Sequence, residues 1–383
     1  MKKKIIFGII LVLVASLILS GCGGQKTSSE DVIKIGVFEP MTGDSASGGQ
    51  MTYEGIELAN SLYPEVLGKK VELVLVDNKT DKTEAANAVN RLIDKVKVCA
   101  IIGSYGSSLS MAAGPIVKEK GVPAVGCSPT NPLVTKDNDY YFRVCFIDPF
   151  QGTVAAKYAV NEAGAKKAAI LRNVENDYSV GLANYFQEAF VKLTGSEDSI
   201  VAVLDYVKDT QDFTAQLTTL ANKDVDVIFA PGDYNQVALL IKQARQLGIK
   251  APFMGGDTLD APEFFQIGGA DVEGVVITNH YSPEAPVTEV SKEFVEAYKQ
   301  KYNKEANAFA ALGFDAYKVI LDAIERANST DPKAIRDALA QTKGFEGATG
   351  IITLDENGDA NKSAVVLKAE GGKFNYLSTV QPD

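Results

Sequence analysis

The sequence predicts an α/β fold of two doubly wound parallel-sheet lobes, and three observations carry that expectation. Short apolar segments alternate with amphipathic segments of helical length. The links between them are rich in Gly, Ser, Thr and Pro. The whole rhythm restarts after Asp148-Pro149. Strands alternating with helices in this way pair in parallel and are covered on both faces. A chain of 383 residues, 46% of them hydrophobic, also exceeds what one ordinary core organises.

The elements follow in order. Val32–Phe38 reads as a strand and Gln50–Leu62 as a helix, after a loop over Thr42–Gly49. Val71–Asp77 is a strand, Thr83–Val96 a helix, Val98–Ile102 a strand, Ser108–Lys120 a helix and Pro123–Gly126 a strand, with Tyr141–Phe146 extended. The second run starts with a helix at Gln151–Ala163 and a strand at Lys167–Arg172. Helices at Tyr178–Thr194, Phe213–Asn222 and Tyr234–Leu247 alternate with strands at Ser199–Tyr206, Val225–Ala230, Pro252–Met254 and Gly274–Thr278. A helical block, Ser291–Thr342, precedes strands at Gly350–Leu354 and Ser363–Glu370.

Ahead of all this stands a leader. Lys2, Lys3 and Lys4 precede an apolar run from Ile5 to Leu19, closed by Leu19-Ser20-Gly21-Cys22. A charged start, a short apolar run and small residues at a cut site make a secretory signal peptide. The ending resembles the lipobox of bacterial lipoproteins. That resemblance implies cleavage before Cys22, lipidation of its sulfur and an extracytoplasmic protein anchored to the cell membrane. Gly23 to Asp31 would be a flexible polar tether.

Composition excludes several functions. The net charge is −11, a poor match to nucleic acid, which needs clustered Lys and Arg. There is one histidine, His280, so a multi-histidine zinc site is ruled out and any Ser-His-Asp triad would have to use it. No phosphate-loop, GxGxxG, GxSxG or HExxH pattern occurs. We therefore expect no enzyme, no metal and no cofactor. Cys99, Cys127 and Cys145 lie in apolar stretches; they read as buried thiols, or as one disulfide pair plus a free thiol.

In open parallel sheets ligands bind at the carboxyl ends of strands, so the loops after strands deserve inspection. Three stand out: Gly103-Ser104-Tyr105-Gly106-Ser107-Ser108, Cys127-Ser128-Pro129-Thr130-Asn131-Pro132 and Gly255-Gly256-Asp257-Thr258. Hydroxyls and free N–H groups at a helix start suit an anion. Ser107 and Ser108 could equally cap their own helix, and Asp257 could close an Asx turn.

An ordered set of patterns runs through the chain: Ile33-Lys34-Ile35-Gly36, Met41-Thr42-Gly43, Asp77-Asn78, Ile102-Gly103-Ser104, Ser128-Pro129-Thr130-Asn131-Pro132, Phe142-Arg143, Gln151-Gly152, Gln243-Ala244-Arg245, Phe253-Met254-Gly255-Gly256-Asp257 and Phe314-Asp315-Ala316. Together they resemble the type I periplasmic binding proteins of ABC importers, nearest the leucine/isoleucine/valine-binding family. The resemblance implies two lobes joined by three crossings, near Asp148–Gln151, Thr278–Ser282 and Thr349–Ile352. Lobe 1 would hold 32–148 and 281–350, lobe 2 149–280 and 351–383, behind a signal peptide at 1–21 and a lipidated tether at 22–31.

It also implies roles. Ser107 and the backbone around Ser128 and Thr130 would hold the α-carboxylate of an amino acid. The Thr130 hydroxyl and the Asp257 carboxylate would hold its α-ammonium. Tyr105 and Tyr178 would line the side-chain pocket, with Phe309 a weaker candidate. Two departures from the family pattern bear on specificity. Asp233 stands where the family commonly has a tyrosine, unless a one-residue slip restores Tyr234. Gly48 replaces an aromatic wall and is expected to widen the pocket. The implied function is capture of an amino acid, branched-chain foremost, by a monomer that delivers it to ABC permease subunits. The alternatives are an amide, cationic or aromatic small molecule as ligand, or a sensory binding module.

Overall fold

The structure, a computed structural model, describes residues 32–382. The signal peptide, Cys22 and the tether lie outside the described residues. Two sheets organise the chain. The first contains β1 (Val32–Glu39), β2 (Glu65–Val66), β3 (Lys69–Asp77), β4 (Ala100–Ile102), β5 (Ala124–Gly126) and β6 (Tyr141–Arg143), in the order β2-β3-β1-β4-β5-β6. Strands β1, β4, β5 and β6 pair in parallel, while β2 and β3 form an antiparallel hairpin at one edge.

The second sheet contains β7 (Ala168–Asn173), β8 (Ile200–Tyr206), β9 (Val227–Phe229), β10 (Phe253–Gly255) and β11 (Val276–Asn279) in parallel. A small hairpin, β12 (Phe345–Gly347) with β13 (Gly350–Ile352), stands apart. The last two strands, β14 (Ala364–Glu370) and β15 (Lys373–Val380), return to the second sheet and add antiparallel beside β11.

Helices cover both faces of each sheet. On the first they are α1 (Ala46–Leu62), α2 (Lys82–Arg91) and α3 (Ser107–Lys120). On the second they are α4 (Asp148–Lys157), α5 (Asp177–Thr194), α6 (Thr214–Ala221), α7 (Tyr234–Gln246) and α8 (Pro262–Gly268). The alternation along β1 shows why. Ile33, Ile35 and Val37 enter one apolar cluster with Ile56 of α1, and Phe38 enters the opposite one with Ala113 and Val117 of α3. A strand buried on both sides needs no polar face.

The expected helical block is three helices, α9 (Glu289–Tyr302), α10 (Ala308–Ala327) and α11 (Pro332–Leu339). Asn303 and Asn328 end the first two in left-handed conformation, which asparagine tolerates. All three pack on the first sheet through Phe294, Tyr298, Leu312, Ile320 and Ile335.

Several boundaries differ from expectation. Helix α1 starts at Ala46 rather than Gln50, so Gly48 and Gly49 are helical and not loop. Helix α4 starts at Asp148, with Pro149 in its first turn, where a missing N–H costs nothing. Strands β2, β12 and β15 and helix α8 were not anticipated. Cys99, Cys127 and Cys145 are all free and buried, so no disulfide forms among them. Burial pushes the thiols of Cys99 and Cys145 up to about 11 and about 12, where they are inert. Among the described residues no helix is long and apolar enough to cross a membrane.

Candidate functional site

A cavity of about 290 Å³ opens where carboxyl ends of strands from both sheets face each other. The loop after β4 supplies Tyr105 and Ser107, and that after β5 supplies Ser128. From the second sheet come Asn176 and Tyr178 after β7, Asp233 after β9 and Asp257 after β10. Six of the seven candidates therefore line one space. Thr130 does not; it is fully buried behind Ser128, and its hydroxyl has no partner.

The first-sheet wall is rich in donors. Ser107 opens α3, whose N-cap is Gly106 with no side-chain cap, so first-turn N–H groups remain unbonded within the helix. The Ser107 hydroxyl accepts from the Asn131 backbone N–H at 3.1 Å, which leaves its own proton available. Ser108 donates to Asp177 at 2.7 Å. Neither serine caps its own helix. The Ser128 hydroxyl is buried without a partner. Arg143, fully buried, holds this loop in shape: its Nη1 donates to the carbonyls of Pro129 and Asn131 at 2.6 and 2.8 Å, and its Nε to Asp359 at 2.6 Å.

Tyr105 is fixed from three sides. Its N–H donates to Glu39 at 2.6 Å, its ring meets Phe309 edge-on with centroids 4.9 Å apart, and its far edge rests on Gly48. A Cβ at Gly48 would lie 2.4 Å from the ring. This corrects one expectation: Gly48 does not enlarge the pocket but seats Tyr105, which fills that space. Phe309 is fully buried and acts as packing behind Tyr105.

The second-sheet wall is acidic. Asp257 is almost fully buried, and its side chain serves no Asx turn. Its Oδ1 accepts from Gln151 Nε2 and from the Tyr178 hydroxyl, both at 2.8 Å, and its Oδ2 lies 3.3 Å from His280 Nε2. Burial works to raise its pKa, but His280, Gln151 and Tyr178 together outweigh it and hold the carboxyl below its ordinary value. Asp233 also lines the cavity, with Oδ1 at 3.4 Å from Ser45 Oγ and Oδ2 accepting from Asn176 Nδ2 at 3.2 Å. Burial pushes its pKa up. Tyr234 is not among the lining residues; its hydroxyl donates to the Asp44 carbonyl at 3.1 Å and accepts from the Ser47 N–H at 3.3 Å.

Sequence reasoning missed Gln151, His280, Ser45 and Asn176. Gln151 was visible as part of a pattern, and Asn176 by its position before Tyr178. Two ion pairs cross the cavity mouth, Lys82 with Asp177 at 2.9 Å and Lys208 with Asp44 at 3.1 Å. Among the described residues no cluster of His, Cys, Asp and Glu is arranged to hold a metal.

Comparison with known proteins matches this architecture. The family model described as periplasmic binding protein fits residues 32–373. A leucine-binding protein LivK from Thermotoga maritima is 47% identical, with a TM-score of 0.88, and the match covers 91% of this chain and 99% of that one. The branched-chain amino acid transporter substrate-binding protein LivJ from Streptococcus pneumoniae, solved with isoleucine, is 33% identical, with a TM-score of 0.86, over 92% of this chain and all of that one. The Leu/Ile/Val-binding protein homolog 3 of Brucella melitensis is 30% identical over 371 residues, 95% of this chain and 98% of its own length. The chain thus belongs to the type I periplasmic binding proteins, in the branch of the Leu/Ile/Val-binding proteins of ABC importers.

Proposed function

We propose that this protein captures a branched-chain amino acid outside the cytoplasm and hands it to an ABC permease. The observation that carries the reading is one cavity with a donor wall and a carboxylate wall facing each other. A zwitterion presents the complementary pair of groups: its carboxylate takes N–H and O–H donors, its ammonium takes an ionised oxygen. Ser107, Ser128 and the start of α3 hold the carboxylate, with Thr130 supporting that loop from behind. Asp257 holds the ammonium. Tyr105 and Tyr178 flank the side chain, and Asp233 closes the far end through Ser45 and Asn176. The names of the relatives in the Thermotoga, Streptococcus and Brucella proteins support leucine, isoleucine or valine as the ligand.

In this reading residues 32–148 with 281–350 form one lobe and 149–280 with 351–383 the other. Closure around the ligand is the hinge motion open to such a pair, and the permease recognises the closed form. Cys22 carries the lipid that tethers the monomer to the membrane. Substituting it (Cys22→Ser) should release the protein from the membrane fraction.

The test is calorimetric titration of Gly23–Asp383, refolded free of ligand, with the twenty amino acids. Calorimetry suits a chain with no tryptophan. Binding of leucine, isoleucine or valine at micromolar affinity or tighter is the expected result. Silence from all three overturns the reading.

A further inference from the structure

His280 is the single histidine of the sequence, and it sits directly behind the carboxylate wall. It follows β11, where the chain leaves the second sheet. One face of its ring stacks on Phe146, with centroids 3.8 Å apart and planes at 29°. Its Nδ1 is buried with no partner. An imidazole in such a place carries its proton on Nε2 and donates it to Asp257.

The two oxygens of Asp257 are not equivalent. Oδ1 already accepts two bonds at 2.8 Å. Oδ2 has the His280 contact at 3.3 Å, long and single. Oδ2 is therefore the oxygen with capacity left for an incoming ammonium. It is also the oxygen on which a charged imidazolium would lie.

We propose that His280 is a positioning residue for ligand binding: its neutral Nε2–H orients Oδ2 of Asp257 toward the ligand ammonium, and a proton on Nδ1 would compete with that ammonium for the same oxygen. Ligand binding and protonation of His280 then exclude one another. This rests on the reading above that Asp257 takes the ammonium.

The surrounding groups fit. Burial holds the imidazole below its ordinary value, more strongly than Asp257 raises it, and the Lys362 ammonium lowers it further. Cys145, beside Phe146, is neutral throughout, its thiol pushed up to about 12 by burial. Asp148 near Asp257 is pushed up to about 8, again by burial, and stays protonated in acid. Asp315, which faces Lys362, is raised by its burial. Asp260, bonded to Asn279, is pushed up to about 6 by burial, so it titrates within the acid range tested below. A histidine variant is needed to separate the two. The direction follows from charge: affinity is full where His280 is neutral and falls as pH drops through its pKa.

The experiment titrates leucine into the wild type, H280Q and H280F from about pH 7.5 to about pH 4.5. It also follows the one imidazole resonance by NMR, with and without leucine. We expect wild-type affinity to weaken about tenfold toward acid, and leucine to move the imidazole titration to lower pH. H280Q, which keeps a neutral donor, should lose most of the pH dependence. H280F, which removes the donor, should bind about tenfold more weakly at neutral pH. Equal acid slopes in wild type and H280Q, or an imidazole titration that leucine does not move, overturn the proposal. Should either variant fail to fold, the wild-type NMR titration decides alone. Leucine binding equally to wild type and D257N overturns the role of Asp257, and no leucine binding to the wild type overturns the functional reading; both remove the proposal with it, and each is told apart by its own variant.

Discussion

At Asp257 three buried donors and one free lone-pair direction meet on a single carboxylate. Replacing it by asparagine should weaken leucine binding by about 2–5 kcal/mol, the scale for removing one partner of a buried charged pair. Calorimetry reads this directly, and circular dichroism confirms that the variant folds. Alanine would be a poorer probe, because it strands Gln151, Tyr178 and His280 without an acceptor. Glu39 makes a different prediction. It is buried under Tyr105 and its pKa is pushed up from 4.5 to about 8 by burial. The unfolded chain ionises this group first, so its contribution to stability is full below pH 4.5 and is lost as pH rises toward about 8. Glu39→Gln should flatten that fall in denaturant titrations across the window. The candidates in loops after strands were legible because a doubly wound sheet exposes those loops and no others to a ligand. The meeting of Gln151 and His280 with Asp257 was not, because each reaches it from a distant element, α4 and the end of β11; Gln151 showed only as part of a pattern with no role attached. No local pattern records which buried ends converge.

Among the elements, α1 and α10 show how close packing is written in small residues. A Cβ at Gly55 would fall 1.8 Å from the Ala310 carbonyl, and one at Gly313 would fall 2.2 Å from that of Thr52. The two helices touch backbone to backbone at these points. Gly55→Ala improves intrinsic helix propensity yet should destabilise the protein by about 1–3 kcal/mol, since neither backbone can retreat from the overlap. Urea unfolding measures the sign as well as the size. Helix periodicity announced α1 as Gln50–Leu62 and α10 only within one undivided block, Ser291–Thr342; the early start of α1 was hidden by Gly48-Gly49, which locally reads as loop. Strand β15 was hidden for another reason. It is an edge strand with no fully buried residue, and it follows a Gly371-Gly372 turn, so its alternation is faint.

Across the whole molecule, the cavity mouth is held by contacts between the two sheets' halves rather than within either. The pairs Lys82–Asp177 and Lys208–Asp44 are exposed, so each contributes at most about 1 kcal/mol and is screened by salt. The double variant Lys82→Ala, Lys208→Ala should raise the leucine Kd by about thirtyfold at most, with the loss shrinking at high salt. Small-angle scattering should show the ligand-free variant more open than the wild type. Sequence rhythm made the two-sheet plan legible, since the restart at Asp148-Pro149 separates the strands of one sheet from those of the other. It was silent on the return of β14 to β11, because antiparallel pairing over so long a separation leaves no periodic mark. That return has a consequence for how the protein is made. The strand that covers this side of β11, β14, is synthesised only after all of α9, α10 and α11. Until it arrives, Val276–Asn279 stands as an open edge able to pair with the same edge of another nascent copy. Chains cut short before Ala364 should therefore accumulate as aggregates, and the final hairpin serves as the seal that ends this exposure.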